Sequence, residues 1–201
     1  NRGKKMTHTL HRRGNIKDLK EDYVILAMLA AGVNDKYYDS RKKLIKIAEI
    51  LNENNPVNIM PEIGWNTSST ITAAYKDIET VKIIIQILKK EDFGISIVIS
   101  GLVSEIENVL KEVNLEVDTV HFSLNFHGNR KDLLPPEEIL EVTTMCGHHC
   151  ISPQSITYYV ELIKKGKISL EKASVKLTNP CVCGIFNPLR AKNILNSLVN
   201  K

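Results

Sequence analysis

The sequence predicts an α/β protein in which a mostly parallel βαβ sheet is followed by a small helical Cys/His module. Strand-length apolar runs alternate with amphipathic helical stretches between residues 22 and 127. Such alternation is typical of parallel strands joined by crossover helices. Beyond Pro135 and Pro136 the chain reads as helical throughout. We therefore expect a basic N-terminal arm over residues 1–21, an α/β domain over 22–132 and a helical metal-binding module over 133–201.

The elements of the first part follow from apolar spacing and capping residues. The predicted strands are short apolar or alternating runs at residues 22–30, 57–60, 95–100 and 117–126. The predicted helices cover residues 40–54, with Ser40 as the N-cap, and residues 77–90, with Asp77 as the N-cap. A third predicted helix begins at Ser104. Residues 61–76 predict a long loop, with at most a helical turn around Trp65.

The helices of the second part are marked by start signals. Glu137 and Glu138 follow the proline pair and begin the first of them. Ser152, Ser169 and Asn187 each precede a stretch with helical spacing, and a proline at the first helical position follows both Ser152 and Asn187.

Composition excludes several classes of protein. The net charge of +4 is mild and concentrated in the first thirteen residues, so we expect no nucleic-acid partner. The apolar run Val24–Ala31 is far shorter than a membrane span, and no secretory signal is visible. Clustered rather than scattered cysteines favour a reducing, cytoplasmic setting. Motifs for dinucleotide binding, nucleotide triphosphate binding, serine hydrolysis and zinc proteolysis are missing.

Two short segments contain every cysteine of the chain. TTMCGHHCISP, residues 143–153, holds Cys146 and Cys150 with two histidines, and NPCVCGIFNP, residues 179–188, holds Cys181 and Cys183. Each segment leads into a predicted helix start, where unpaired N–H groups stabilise a thiolate and lower its pKa. Ionised sulfur is the form that metal ligands and redox nucleophiles both require.

The spacing favours a metal site formed by Cys146, Cys150, Cys181 and Cys183, with His148 as a further candidate ligand. The C-x-C half departs from the usual zinc spacing, so an iron–sulfur cluster is favoured over zinc. If all four cysteines bind, the site is closed; if three bind, one position is left for His148, water or substrate. A thiol redox pair and buried structural cysteines are the alternatives.

These motifs resemble those of a prokaryotic protein family, archaeal and anaerobe-type. Its members carry a CGH motif and a C-x-C-G-x-F-N-P-x-R-A motif after an α/β region, and the TLHRRG segment near the start also resembles it. The resemblance implies that Cys146, Cys181 and Cys183 are the core ligands, and it implies no particular activity.

Other residues suggest an anion site. Arg12 and Arg13 lie beside His8 and His11 in a donor-rich segment that suits phosphate or carboxylate, although a solvated arm would have the same composition. In the alternating stretch VHFSLNFHG, Asn125 and His127 lie on the polar face, which indicates either a cleft or an edge strand.

Three functions remain open on these grounds. The first is a metal-containing enzyme that holds a small anionic substrate between the cysteine module and the sheet. The second is a non-enzymatic metalloprotein that acts on a protein partner as an assembly or regulatory component. The third is thiol–disulfide exchange through Cys181 and Cys183. The sequence identifies neither the substrate nor the oligomeric state.

Overall fold

A computed structural model describes residues 12–120 and 131–201 of the chain. The strands in these ranges are β1 Tyr23–Met28, β2 Asn58–Ile59, β3 Thr70–Tyr75 and β4 Ser96–Ser100. The α-helices are α1 Ile16–Leu19, α2 Ser40–Glu53, α3 Glu62–Trp65, α4 Ile78–Glu91, α5 Val103–Glu112, α6 Glu137–Thr143, α7 Pro153–Lys164, α8 Leu170–Lys176 and α9 Pro188–Val199. A short 3-10 helix covers Lys131–Leu133.

The four strands form one sheet in the order β2-β3-β1-β4, and every neighbouring pair is antiparallel. Tyr23 lies opposite Tyr75 across β1 and β3, and Val24 lies opposite Ser100 across β1 and β4. The predicted mostly parallel βαβ sheet is therefore wrong, although helices and strands do alternate along the chain.

The error comes from β3, which lies inside the predicted loop of residues 61–76. Its sequence, TITAAY, does contain strand-favouring residues, Thr70, Ile71, Thr72 and Tyr75, but the two alanines and the polar NTSS stretch before it make the strand pattern weak. Because β3 turns back beside β2, it separates β1 from β2, which run in the same direction. In the same way β1 separates β3 from β4. This is the split βαβ arrangement, in which crossover helices join strands that are not neighbours.

The other strand predictions divide into two groups. β1, β2 and β4 lie within the predicted ranges and are confirmed. Residues 117–120 form no strand, so that part of the predicted strand at 117–126 is wrong. Residues 121–126 lie outside the described part of the chain, as do Asn125 and His127.

The helix predictions are confirmed, and the capping residues explain where most of the helices begin. The side chain of Asp77 accepts a hydrogen bond from the Thr80 N–H at 2.8 Å and so caps α4. Ser152, Ser169 and Asn187 cap α7, α8 and α9 in the same way. α2 differs, because Asp39 rather than Ser40 occupies the cap position and makes no capping hydrogen bond with its side chain.

Buried apolar side chains from the sheet and from the C-terminal helices belong to one cluster. Ile25 on β1 and Ile84 on α4 share it with Val142 on α6, Phe186 and Leu195. The helices after residue 133 thus pack on the same core as the sheet, which fixes the two cysteine segments relative to the strands. In the described ranges, none of the helices combines the length and apolar character needed to cross a membrane.

We expect Asp77→Ala to lower the free energy of unfolding by about 1 kcal/mol, because the N–H of Thr80 loses its capping acceptor. Urea denaturation measures this change. Asp39→Ala is the comparison variant, since Asp39 holds the same cap position of α2 without a capping hydrogen bond, and loss of its exposed ion pair with Lys43 should cost less than loss of a cap. Equal losses in the two variants would contradict the role assigned to the Asp77 cap.

Candidate metal centre

Three of the four cysteines are buried at the same place. Cys146 lies in the loop between α6 and α7, while Cys181 and Cys183 lie in the loop between α8 and α9; their exposures are 0%, 5% and 9%. The sulfurs of Cys181 and Cys183 are 3.7 Å apart, and Nδ1 of His148 lies 3.6 Å from the Cys183 sulfur. We call Cys146, Cys181, Cys183 and His148 the thiol cluster.

Local turns bring these side chains inward. In the first loop the His149 N–H donates to the Cys146 carbonyl at 2.9 Å, and His149 itself has a positive φ of 53°. In the second loop the Gly184 N–H donates to the Cys181 carbonyl at 3.1 Å. The Val182 side chain points away and is exposed, so that the cysteines on either side of it both face the interior.

The second loop is fastened to the sheet. The Thr72 hydroxyl on β3 donates to the Cys183 carbonyl, and the Asn58 amide on β2 donates to the Phe186 carbonyl at 2.8 Å. Gly184 has a φ of +72° and lies against the main chain of β2. A Cβ at that position would lie only 2.1 Å from the carbonyl carbon of Ile59. Only glycine satisfies both the left-handed backbone and this close approach.

Hydrogen bonds between the sulfurs separate their pKa values. The pKa of Cys146 is lowered far below its usual range, first by hydrogen bonds from the Cys181 and Cys183 thiols and then by the N–H groups of Cys150 and His148. The pKa values of Cys181 and Cys183 are raised, first because each donates to Cys146. Sulfurs in contact thus favour a single shared negative charge, and these shifts favour Cys146 over Cys181 and Cys183 as its carrier.

This pattern corrects one expectation. A helix start after each cysteine segment predicted lowered pKa values for the thiols in general, whereas only Cys146 shows one. The reason is that sulfurs in contact compete for a single negative charge, and this outweighs the effect of the helix ends. Cys150 differs from the other three in being exposed, with its sulfur 3.9 Å from the His148 carbonyl.

As they are arranged here, no three His, Cys, Asp or Glu side chains in residues 12–120 and 131–201 form a group that could hold a metal ion. All four cysteines are unpaired thiols rather than disulfides. The predicted metal site at Cys146, His148, Cys150, Cys181 and Cys183 thus stays a prediction. The structure places Cys146, Cys181, Cys183 and His148 near one another, and Cys150, whose thiol contacts Cys146, lies exposed beside them.

A buried charge cluster lies next to the sulfurs. Asp22 is 0% exposed and contacts two guanidinium groups, those of Arg12 and Arg190, which are 4% and 1% exposed. Arg190 Nη1 donates to Asp22 Oδ2 at 2.8 Å. Arg12 Nε lies 2.9 Å from the same oxygen, at the distance of an ion pair but without the angle of a hydrogen bond. Asn187 adds an amide donor to the other oxygen, Asp22 Oδ1.

The predicted anion-binding arginines are both engaged within the protein. Arg12 Nη1 donates to the Met145 carbonyl at 2.7 Å and Nη2 donates to the Ile185 carbonyl. Arg13 forms an ion pair with Glu137 at 2.9 Å, and its main-chain carbonyl accepts a hydrogen bond from Arg190. Their binding to an external anion stays a prediction. The same holds for Asn125 and His127, which lie outside the described residues.

Comparison with known proteins identifies no relative: no protein-family model, curated protein or solved structure matches the chain. The resemblance to a prokaryotic family carried by the two cysteine motifs therefore also stays a prediction.

Sequence reasoning missed Asp22, Arg190, Thr72 and Asn58 as neighbours of the cluster. Asp22 stands at the start of an apolar strand, where an acidic residue looks like an ordinary boundary signal. Arg190 carried a usable signal, since it is the arginine of the C-x-C-G-x-F-N-P-x-R-A motif, and so did Asn187. The two sheet residues carried none, because only the tertiary fold brings them to the second loop.

A separate groove of about 660 Å³ lies along β4, α4 and α5. β4 is at the end of the sheet opposite to β2, so the groove and the thiol cluster contact different edges. Its walls are largely aliphatic, with Ile97, Ile99, Ile106 and Leu110 among them. This groove therefore adds no ligand to the thiol cluster.

We expect Gly184→Ala to lower the free energy of unfolding by about 3 kcal/mol or more, because the new methyl group overlaps the main chain of β2. Gly166→Ala is the matched control. Gly166 also has a positive φ, +64°, but a Cβ there meets no atom within 4 Å, so we expect a loss of only about 1 kcal/mol. Chemical denaturation of both variants measures the difference, and equal losses would contradict the steric argument.

Proposed function

We propose that the protein binds one metal ion through Cys146, Cys181, Cys183 and His148. The observation that carries the proposal is a pair of distances, 3.7 Å between the sulfurs of Cys181 and Cys183 and 3.6 Å between the Cys183 sulfur and the His148 nitrogen. The burial of all three sulfurs, with main-chain N–H groups turned toward Cys146, adds to it.

These distances are those of a tetrahedral site. With metal–sulfur bonds near 2.3 Å and metal–nitrogen bonds near 2.05 Å, a tetrahedron has S···S edges of about 3.8 Å and S···N edges of about 3.6 Å. Of the other four edges, three involve Cys146 and one joins Cys181 to His148. These must adjust when the ion enters, because the present arrangement holds no group of three ligands among the described residues. His148 is exposed and is the side chain with room to move.

A single ion fits better than a large iron–sulfur cluster. Cysteines that bind different irons of a cluster are separated by the width of the cluster, whereas Cys181 and Cys183 are close enough to share one metal. Zinc, or one iron with thiolate ligands, is thus the favoured occupant. The iron–sulfur cluster becomes the second choice, because it would need Cys181 and Cys183 to share one iron or to move apart.

The side of the site that faces solvent affects whether a bound metal could exchange a ligand. His148, His149 and Cys150 are all exposed, so the fourth ligand position borders solvent while the three thiols are buried. A site with one accessible position can exchange a ligand or bind a substrate, and a fully closed site is structural. We therefore favour a metalloprotein whose metal meets an external partner at His148, in a reducing compartment such as the cytoplasm.

Thiol–disulfide exchange is the alternative that one observation favours. Cys181 and Cys183 are adjacent, unpaired and in contact, as a redox pair requires. Both thiols have raised pKa values, first because they donate to Cys146, and this weakens them as nucleophiles. A measurable reduction potential in a protein that takes up no metal would favour this alternative.

We expect the protein purified without chelator to contain about one zinc or iron per chain, and Cys146→Ser, Cys181→Ser and Cys183→Ser each to abolish tight binding. Cys150→Ser is the comparison variant: Cys150 is exposed, its thiol donates to Cys146, and a serine hydroxyl keeps that donor, so the variant should retain the metal. Elemental analysis and titration with Co²⁺ measure these outcomes. A chain that binds neither ion when reduced, or loss of binding in Cys150→Ser alone, would contradict the proposal.

Metal affinity should fall as the pH falls. The raised pKa values of Cys181 and Cys183 mean that both carry protons at neutral pH in the metal-free protein, so the ion must displace those protons. At lower pH the same protons compete more strongly, and at higher pH the competition weakens. Competition titrations with a chelator at several pH values measure the dependence; an affinity independent of pH would contradict binding by these thiols.

A further inference from the structure

Arg12 links the two cysteine loops directly. Its Nη1 donates to the carbonyl of Met145, the residue before Cys146, and its Nη2 donates to the carbonyl of Ile185, two residues after Cys183. One planar guanidinium thus contacts both loops at once, in a forked geometry that a lysine ammonium does not reproduce. The separation of the loops therefore depends on this side chain.

The charge of Arg12 is also placed beside the sulfurs. Two guanidinium groups and one carboxylate, those of Arg12, Arg190 and Asp22, leave one positive charge in a buried region. Half-buried Glu141 acts on Arg190. Arg12 contacts Asp22 and lies close enough to the sulfurs of Cys181 and Cys183 for its charge to act on them, so ionisation of those thiols would place negative charge beside it. A buried charge without a partner is costly, so a negative thiolate centre is the natural complement of Arg12.

We propose that Arg12 is a positioning residue for the thiol cluster, which holds the two cysteine loops at their binding separation and balances the charge of the metal–thiolate centre. Three thiolates, one neutral histidine and one divalent ion carry a net charge of −1, which the positive charge left by Arg12, Arg190 and Asp22 offsets. This inference rests on the proposed function, because it assigns the role of Arg12 relative to that same site.

The local contacts allow this role to be separated from simple stabilisation. Asp22 keeps Arg190 and Asn187 as partners when Arg12 is replaced, so no unpaired buried carboxylate is created. The direct losses are then the two hydrogen bonds to the loop carbonyls and the charge beside the sulfurs. A purely structural role would lower the stability of the protein but leave the metal site of the folded molecules unchanged.

The test compares Arg12→Met, which removes both the charge and the donors, with Arg12→Lys, which keeps the charge but not the fork. Lys192→Met is the matched control, since Lys192 lies on the same helix as Arg190, forms an exposed ion pair with Glu171 and loses the same charge. Urea denaturation of the metal-free proteins gives stability. Titration with Co²⁺ gives affinity and, from the visible absorption, the geometry of the bound ion.

We expect Arg12→Met to weaken Co²⁺ binding at least about ten-fold and to change its spectrum, as loss of an outer contact to a metal site does. Arg12→Lys should lose less Co²⁺ affinity than Arg12→Met, and Lys192→Met should have the affinity and spectrum of the unaltered protein. Unaltered affinity and spectrum in folded Arg12→Met would overturn the proposal, whatever its stability. If Arg12→Met does not fold, Arg12→Lys provides the test. An unaltered Co²⁺ affinity and an unaltered spectrum in Arg12→Lys would then overturn the proposal.

A second measurement distinguishes failure of this inference from failure of the proposed function. If the unaltered protein binds no Co²⁺, the proposed function fails, and the rate at which a thiol reagent modifies Cys146 and Cys183 in the folded protein tests the positioning role alone. We then expect Arg12→Met to raise that rate about ten-fold over Lys192→Met, after correction for global stability, because the loops open locally. Equal rates would overturn the positioning role.

Discussion

The contact of Asp22 with two arginines organises the described part of the molecule. Asp22 begins the central region of the sheet just before β1, Arg12 belongs to the segment before α1, and Arg190 lies in the first turn of α9. A buried carboxylate tolerates little displacement from its cationic partners, because separating them leaves uncompensated charge in a low dielectric. Both ends of the described chain are thereby fixed to the sheet, and the cysteine loops between them inherit that geometry.

The local features of the fold could be predicted from the sequence, and its long-range pairing could not. Asp77, Ser152, Ser169 and Asn187 are capping residues whose effect reaches only three residues along the chain, so helix starts followed from them. The direction of the sheet depends on β3, a short strand with two alanines that is held by its partners on β1 and β2. Without β3 the remaining strands predict a parallel sheet, whereas the sheet that includes β3 is antiparallel.

In the candidate site, too, the local clustering of residues could be predicted from the sequence and the long-range contacts could not. Clustering in the sequence was enough to bring Cys146, Cys181 and Cys183 to attention, and these are the cysteines that the fold buries together. Sequence alone left His148 and Cys150 equivalent, because only the turn around His149 places the His148 ring against the Cys183 sulfur. Arg12 stood out for its charge, but its partners Asp22, Met145 and Ile185 come from distant parts of the chain. A partner of that kind leaves no pattern around the residue itself.

The close packing of Gly184 on β2 has a consequence for the sheet as well as for the cysteines. β2 is an end strand, and the main chain of an end strand is a ready template for another chain to add to. The loop that carries Cys181 and Cys183 lies directly against that main chain. It therefore covers the strand against intermolecular pairing, so the contacts that hold the loop in place also keep this strand end closed.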